Sequence, residues 1–253
     1  RPPRSTLFPY TTLFRSFNKN MGIELLTNKP IKFYQKNGVK FFERFRAVDK
    51  NRKPVELFMD EQNGCPTIFA KNHEGKHSTF ELDFDLQNRS MKGKALIANP
   101  KQQELGQVVN LAALMTFYVN KLNHFKIFAF RESMQFFAKF GFKVVTDNDD
   151  EIMKLLKLVK KSKGQEFENL RRQADFFGNR VSGKVPNDVP SLKYYACNVF
   201  SNYLKGLARK GEKFDPDKIP YNSRMDFSDW EFQTDNKDYL NQLFRKHEIN
   251  FQI

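Results

Sequence analysis

Along residues 78–145 the hydrophobic period changes twice, and those changes leave few folds open. In residues 78–86, Phe80, Leu82, Phe84 and Leu86 alternate with Glu81, Asp83 and Asp85, the period of a strand with one face on a core. Residues 92–98 read as the next strand. From Leu105 the period becomes helical. Leu105, Val108, Val109, Ala112, Met115, Val119 and Leu122 share one stripe, and Leu111, Leu114, Phe117 and Tyr118 widen it. A helix apolar over that much of its surface is expected to be packed on more than one side. Ile127-Phe128-Ala129-Phe130 is then a short continuous apolar run, as in a buried strand lying parallel to a neighbour across a helical crossover. Strand, helix, strand, helix, strand over residues 92–145 predicts an α/β half.

Upstream, residues 40–48 and 55–60 are β-prone around a polar turn at 49–54, and residues 66–70 precede a second turn at 72–76. An antiparallel meander follows from this pattern. Downstream, helices are predicted over 150–161, 165–177, 191–208 and 236–246. A Gly, Pro, Asn and Ser-rich loop is predicted at 178–190 and an irregular stretch at 213–229. The fold class is therefore α/β, a mixed α+β sheet within residues 17–147, with a mainly helical C-terminal extension over 148–253. Residues 6–16, TLFPYTTLFRS, resemble the translation of a sequencing-library adapter. Residues 1–16 are accordingly excluded from fold reasoning and expected to be disordered, with Met21 as the natural start.

Without Arg1, Arg4 and Arg15 the formal charge of +14 becomes +11, spread over both halves. Positive charge of this kind suits anions in general: phosphorylated ligands, nucleic acid or acidic membranes. The abundance of Lys, Asn and Phe also follows from an AT-rich coding sequence. Mean hydropathy is −0.66 and no apolar run approaches the ~20 residues that span a bilayer, so a cytoplasmic protein without a membrane partner is expected. Cys65 and Cys197 stand far apart with no C-x-x-C companion, which supports neither a disulfide framework nor a thiolate zinc site. His73 and His77 flank a glycine turn without further ligands, and no metal site is expected.

Two short motifs sit at the joints of the α/β half. Gln103-Glu104-Leu105-Gly106-Gln107-Val108 links a strand to the long helix, and a glycine turn there leaves first-turn N–H groups available to a pyrophosphate. Ser133 to Phe142 reads SMQFFAKFGF. This order of elements and these motifs resemble the GNAT superfamily of acyl-CoA-dependent N-acyltransferases, with its Q/R-x-x-G-x-G/A loop and F-Y-x-K-x-G-F segment. Gln103 and Gly106 match the first motif, which departs at Val108. Phe136, Lys139, Gly141 and Phe142 match the second, which departs at Phe137.

The resemblance implies a GNAT-like fold over residues 31–146, acetyl-CoA or another acyl-CoA as co-substrate, and an amine acceptor of unspecified identity. It assigns Ala98, Gln103, Glu104, Leu105, Gly106, Gln107, Val108, Phe136, Phe137 and Lys139 to the CoA ligand. In the family's reaction an amine attacks the thioester, a base or water chain takes its proton, and a tyrosine often protonates the leaving thiolate. Phe137 has no proton to give, so Ser133, Tyr118 or a water would replace it. Glu81, Asp83 and Asp85 are the candidates for the base. The alternative is a fold that has lost its chemistry and binds nucleic acid or an acidic partner, for which the interleaved Lys and aromatic residues of 29–46 offer stacking and charge. A homodimer is left open.

Overall fold

The computed structural model describes residues 30–99, 105–183, 192–219, 227–233 and 237–253. The adapter-like segment, Met21, Gln103 and Glu104 lie outside them. β1 (Phe33–Lys36) and β2 (Val39–Phe42) form an antiparallel hairpin. Its turn, Asn37-Gly38, has positive φ at both residues (51° and 81°), the geometry that matches strand twist. The β-prone stretch 40–48 does not continue as one strand. Phe41 and Phe42, on opposite faces of β2, are both buried, whereas Glu43 and Arg44 are exposed. The chain bends at Glu43-Arg44, and β3 (Phe45–Val48) opens a separate sheet.

That sheet continues as the predicted meander: β4 (Pro54–Gln62), β5 (Cys65–Asn72), β6 (His77–Asp85) and β7 (Ser90–Asn99), each antiparallel to the last. Leu57, Met59, Ile68, Ala70, Phe80 and Leu82 point to one face and are buried. α1 (Leu105–Val119) lies on that face and is buried from Leu105 through Phe117. The two-sided apolar pattern is explained by its neighbours: strands on one side, β2 and the C-terminal helix on the other. β8 (His124–Phe130) returns parallel to β7, followed by α2 (Met134–Lys139) and β9 (Phe142–Val145).

α3 (Asp149–Lys160), α4 (Glu168–Val181) and α5 (Leu192–Lys210) come next, then β10 (Phe227–Phe232) and α6 (Lys237–Lys246). α3 begins at Asn148, whose side chain accepts from the N–H groups of Asp150 and Glu151, satisfying two first-turn donors. Two expectations are corrected here. The loop predicted from residue 178 begins later, because Gly178 is buried within α4, where α3 packs closely against it. The stretch read as irregular ends in β10, which lies between β8 and β9 and is antiparallel to both. The strand order is β3-β4-β5-β6-β7-β8-β10-β9. The helices α3 to α5 are thus inserted between two adjacent strands, and residues 148–253 as a whole are not an appendage.

Trp230 of β10 is fully buried, and Phe232 packs on Phe142 (5.4 Å between centroids) and Phe117 (5.5 Å). The outer edge of β9 is covered by α5, where Ser201 Oγ accepts the Val144 N–H at 3.0 Å; covering an edge in this way removes a template for unwanted pairing. No helix among the described residues is long and apolar enough to cross a membrane.

Candidate active site

The parallel pair β7–β8 is joined at one end only. Its register runs from Ser90 opposite His124 to Gly93 opposite Ile127 and then stops. Beyond that point β7 continues beside β6, and β8 continues beside β10. The cause lies in β7. Glu81 pairs with Ala95 while Leu82 pairs with Gly93, so Lys94 is an extra residue, and a bulge of this kind bends and twists its strand. Gly93 marks the vertex: a Cβ there would stand 2.6 Å from Phe80 Cε2 and 3.0 Å from Ile127 Cγ2. Past the vertex the facing edges of β7 and β8 make no ladder bonds to each other, leaving backbone donors and acceptors directed into a crevice. The crevice lies at the carboxyl ends of two parallel strands, the position ligands favour in open α/β sheets.

α1 follows β7 after residues 100–104, so its N-terminus belongs to the same end of the sheet. Leu105, Gly106, Gln107 and Val108 form its first turn and are buried. The Val108 side chain belongs to the hydrophobic core and offers a ligand no contact. Gln107 is the centre of a polar chain. Lys139 Nζ donates to Gln107 Oε1 (3.1 Å), Gln107 Nε2 lies 2.8 Å from His247 Nε2, and His247 Nδ1 lies 2.7 Å from the Val48 carbonyl oxygen. A carbonyl can only accept, so Nδ1 carries the proton. Nε2 of the neutral ring then accepts from Gln107, and every group has a matched role. The two motifs therefore meet through Lys139 and Gln107. His247 has no sequence signal of its own, because its partners are Gln107 and Val48, far back in the chain.

The remaining assigned residues divide. Phe137 is 5% exposed and packs edge-on against Phe142 (5.6 Å), while half-buried Phe136 contacts Phe137 and Phe140 at 5.1 Å each. Both work as packing residues of α2. Ala98 belongs to the unpaired part of β7, with Ser78 as its partner on β6. Ser133 lies just after β8 at the crevice end and donates its hydroxyl to the Phe130 carbonyl (2.9 Å). Glu81, half-buried and opposite Ala95, is the carboxylate at the bulge. Asp83 faces Lys94 at 3.6 Å. Asp85 stands opposite Ser90, at the closed end. It caps a turn by accepting from Asn88 Nδ2 and N, and these bonds hold its carboxyl below the usual range.

Tyr118 lies in the last turn of α1, edge-on to Phe117 and Phe232. Those contacts put it at the closed end of the sheet, and burial pushes its hydroxyl up to about 12. Neither Asp85 nor Tyr118 is placed to serve chemistry in the crevice. Among the described residues no group of three or more His, Cys, Asp or Glu side chains is gathered as a metal would require.

Compared with known protein families, with curated proteins and with solved structures, the chain matches none.

Proposed function

We propose that this protein is an acyl-CoA-dependent N-acyltransferase of the GNAT type, with acetyl-CoA or a longer acyl-CoA as donor and an amine as acceptor. The observation that carries the reading is the parting of β7 from β8 after Gly93 and Ile127 beside the start of α1. An extended thiol ester arm bearing amides can take up the unpaired backbone groups of the crevice as a short strand would. The diphosphate at its other end suits the first-turn N–H groups of Leu105, Gly106, Gln107 and Val108, backed by the positive end of the helix dipole. Gly106 adds no side chain to that approach.

In this reading the acceptor nitrogen attacks the thioester carbonyl carbon, the C–N bond forms, the C–S bond breaks, and the thiolate takes up a proton. Glu81 is the carboxylate nearest the parting by register and is assigned to receive the amine proton, directly or through water. Ser133 or a water supplies the proton to the thiolate. Holding the two reactants in contact contributes most of the acceleration. Glu81→Gln should lower kcat by about 10²-fold or more while acyl-CoA still binds.

The primary test is a thermal titration of the whole chain with acetyl-CoA and with CoA. A ligand at ~100 times its Kd adds about 2.7 kcal/mol to stability, which for a domain of this size is a rise in Tm of about 5 °C or more. Absence of a saturable rise in a cooperatively folding protein would remove the enzyme reading. A second reading, a binding module for nucleic acid, rests on the open sheet face. There Phe128 and Phe130 are 48% and 54% exposed, and Lys92 Nζ sits 4.2 Å from the Phe128 ring centroid. That reading requires binding of single-stranded oligonucleotides that weakens steeply with salt.

A further inference from the structure

The inserted helices carry a second cleft. α4 and α5 form its walls and β9 its floor, enclosing about 580 Å³, within the range of small-molecule sites. Its composition differs from that of the crevice. The Phe177 and Tyr195 rings lie nearly parallel (16°, centroids 6.3 Å apart), and Tyr195 is 48% exposed, so a flat apolar face stands open. Lys143, 7% exposed, rises from β9, and Arg172, which also pairs with Glu168, reaches in from α4. Among the described residues no carboxylate lines the cleft. Asn198 borders it, and its Oδ1 is buried with no hydrogen-bond partner. A buried acceptor left in that state is costly and calls for a donor.

A ligand answering all three features is planar and aromatic, carries an N–H on its edge, and bears an anion. We propose that this cleft binds a phosphorylated nucleoside, with the base stacked on Tyr195, a base N–H donated to Asn198 Oδ1, and the phosphate held by Lys143 and Arg172. Aromatic stacking supplies affinity with little preference among bases, and the Asn198 contact selects bases with a donor edge. The site is separate from the crevice: Lys143 is on β9, beyond β10 from β8. Its described lining presents cations and no carboxylate, which suits an anion better than an acceptor amine.

The test is isothermal calorimetry on the full chain with AMP, GMP, CMP and UMP, with inorganic phosphate and adenosine as part-ligands, and with CoA in parallel. Saturable binding of at least one nucleotide is expected, weakened about tenfold or more by Tyr195→Ser and also weakened by Asn198→Leu and by Lys143→Met. Tyr195 is half exposed, so its variant should fold, and an unchanged melting curve checks this. No saturable nucleotide binding at millimolar concentration would overturn the proposal. So would phosphate or adenosine binding as tightly as the nucleotide, or nucleotide binding unchanged by Tyr195→Ser. CoA contains an adenosine phosphate of its own. If Tyr195→Ser abolishes CoA binding as well, the cleft is the seat of the CoA nucleotide and its independence is overturned. Nucleotide binding without CoA binding would instead sink the acyltransferase reading and leave this one standing.

Discussion

The β7–β8 pair has a closed end and an open end, and the two are made of different materials. The closed end is side chains in contact: Phe80 lies against Gly93, Phe125 meets Phe142 at 5.0 Å, and Phe232 packs on Phe142 and Phe117. The open end is backbone without a ladder partner across the gap, bounded by a bulge at Lys94. A sheet can stop pairing midway because each strand keeps its other neighbour, β6 for β7 and β10 for β8. The gap at the open end therefore depends on packing at the closed one.

That dependence can be broken on purpose. The largest effect is expected from Trp230→Ala. It removes the fully buried ring of β10 and should cost about 3–5 kcal/mol, read as a lower midpoint in urea. A loss under about 1 kcal/mol would mean that β10 is not integral to the sheet. Gly93→Val comes next. Its side chain would overlap the Phe80 ring, which is 2% exposed and has little room to move, and should cost about 3 kcal/mol. The same variant should abolish any thermal shift by acyl-CoA, because the vertex sets where the crevice begins.

Gln107→Leu leaves Lys139 and His247 without their middle partner and should cost about 2 kcal/mol. Gln107→Glu would keep an acceptor for Lys139 but lose the donor to His247, separating the two bonds by equilibrium unfolding. The smallest effect is expected in the exposed turn before β6. Glu74 is held at about 2, against an ordinary 4.5, by hydrogen bonds from Lys76 and Lys53. Because folding lowers this carboxyl, its contribution is complete above about 4.5 and is lost as pH falls through about 2,. The group is exposed, so Glu74→Gln should flatten the acid limb of the Tm profile only slightly, and salt should erase the difference.

The parts of this architecture that were legible in the sequence are those encoded by local period. The alternation over 78–86 forms β6, although Leu86 falls beyond it and is exposed, and α1 shows its two-sided apolar surface. Residues 127–130 do form part of a strand parallel to β7, but the continuous burial expected of them is corrected: Ile127 and Ala129 are buried while Phe128 and Phe130 are exposed, because α1 and α2 leave the other face of the sheet open there. The parts that were not legible depend on distant partners. In β10 the buried Trp230 and Phe232 alternate with Asp229 and Glu231, too short an alternation to separate from a loop. Nothing near Gly93 announces that Phe80 will occupy the space above it. In the candidate site, the two motifs were legible but their meeting at Gln107 and Lys139 was not, since a side-chain hydrogen bond across 32 residues has no local period. The role of His247 was not legible either, nor was the placing of Asp85 and Tyr118 at the wrong end, since register decides which end of a strand a residue occupies.

The place of β10 also sets a timetable. β8 and β9 have no ladder to one another, and the strand that joins them is synthesised only after three further helices. While the chain leaves the ribosome, the meander can close as soon as α1 is available to cover it, because its contacts are local. The far side of the sheet has to wait, with β8 paired on one side only and β9 without a ladder, until β10 has been made. Later still comes the segment after α6, where the His247 carbonyl accepts the Val48 N–H and ties late-made chain to the first strand of the main sheet.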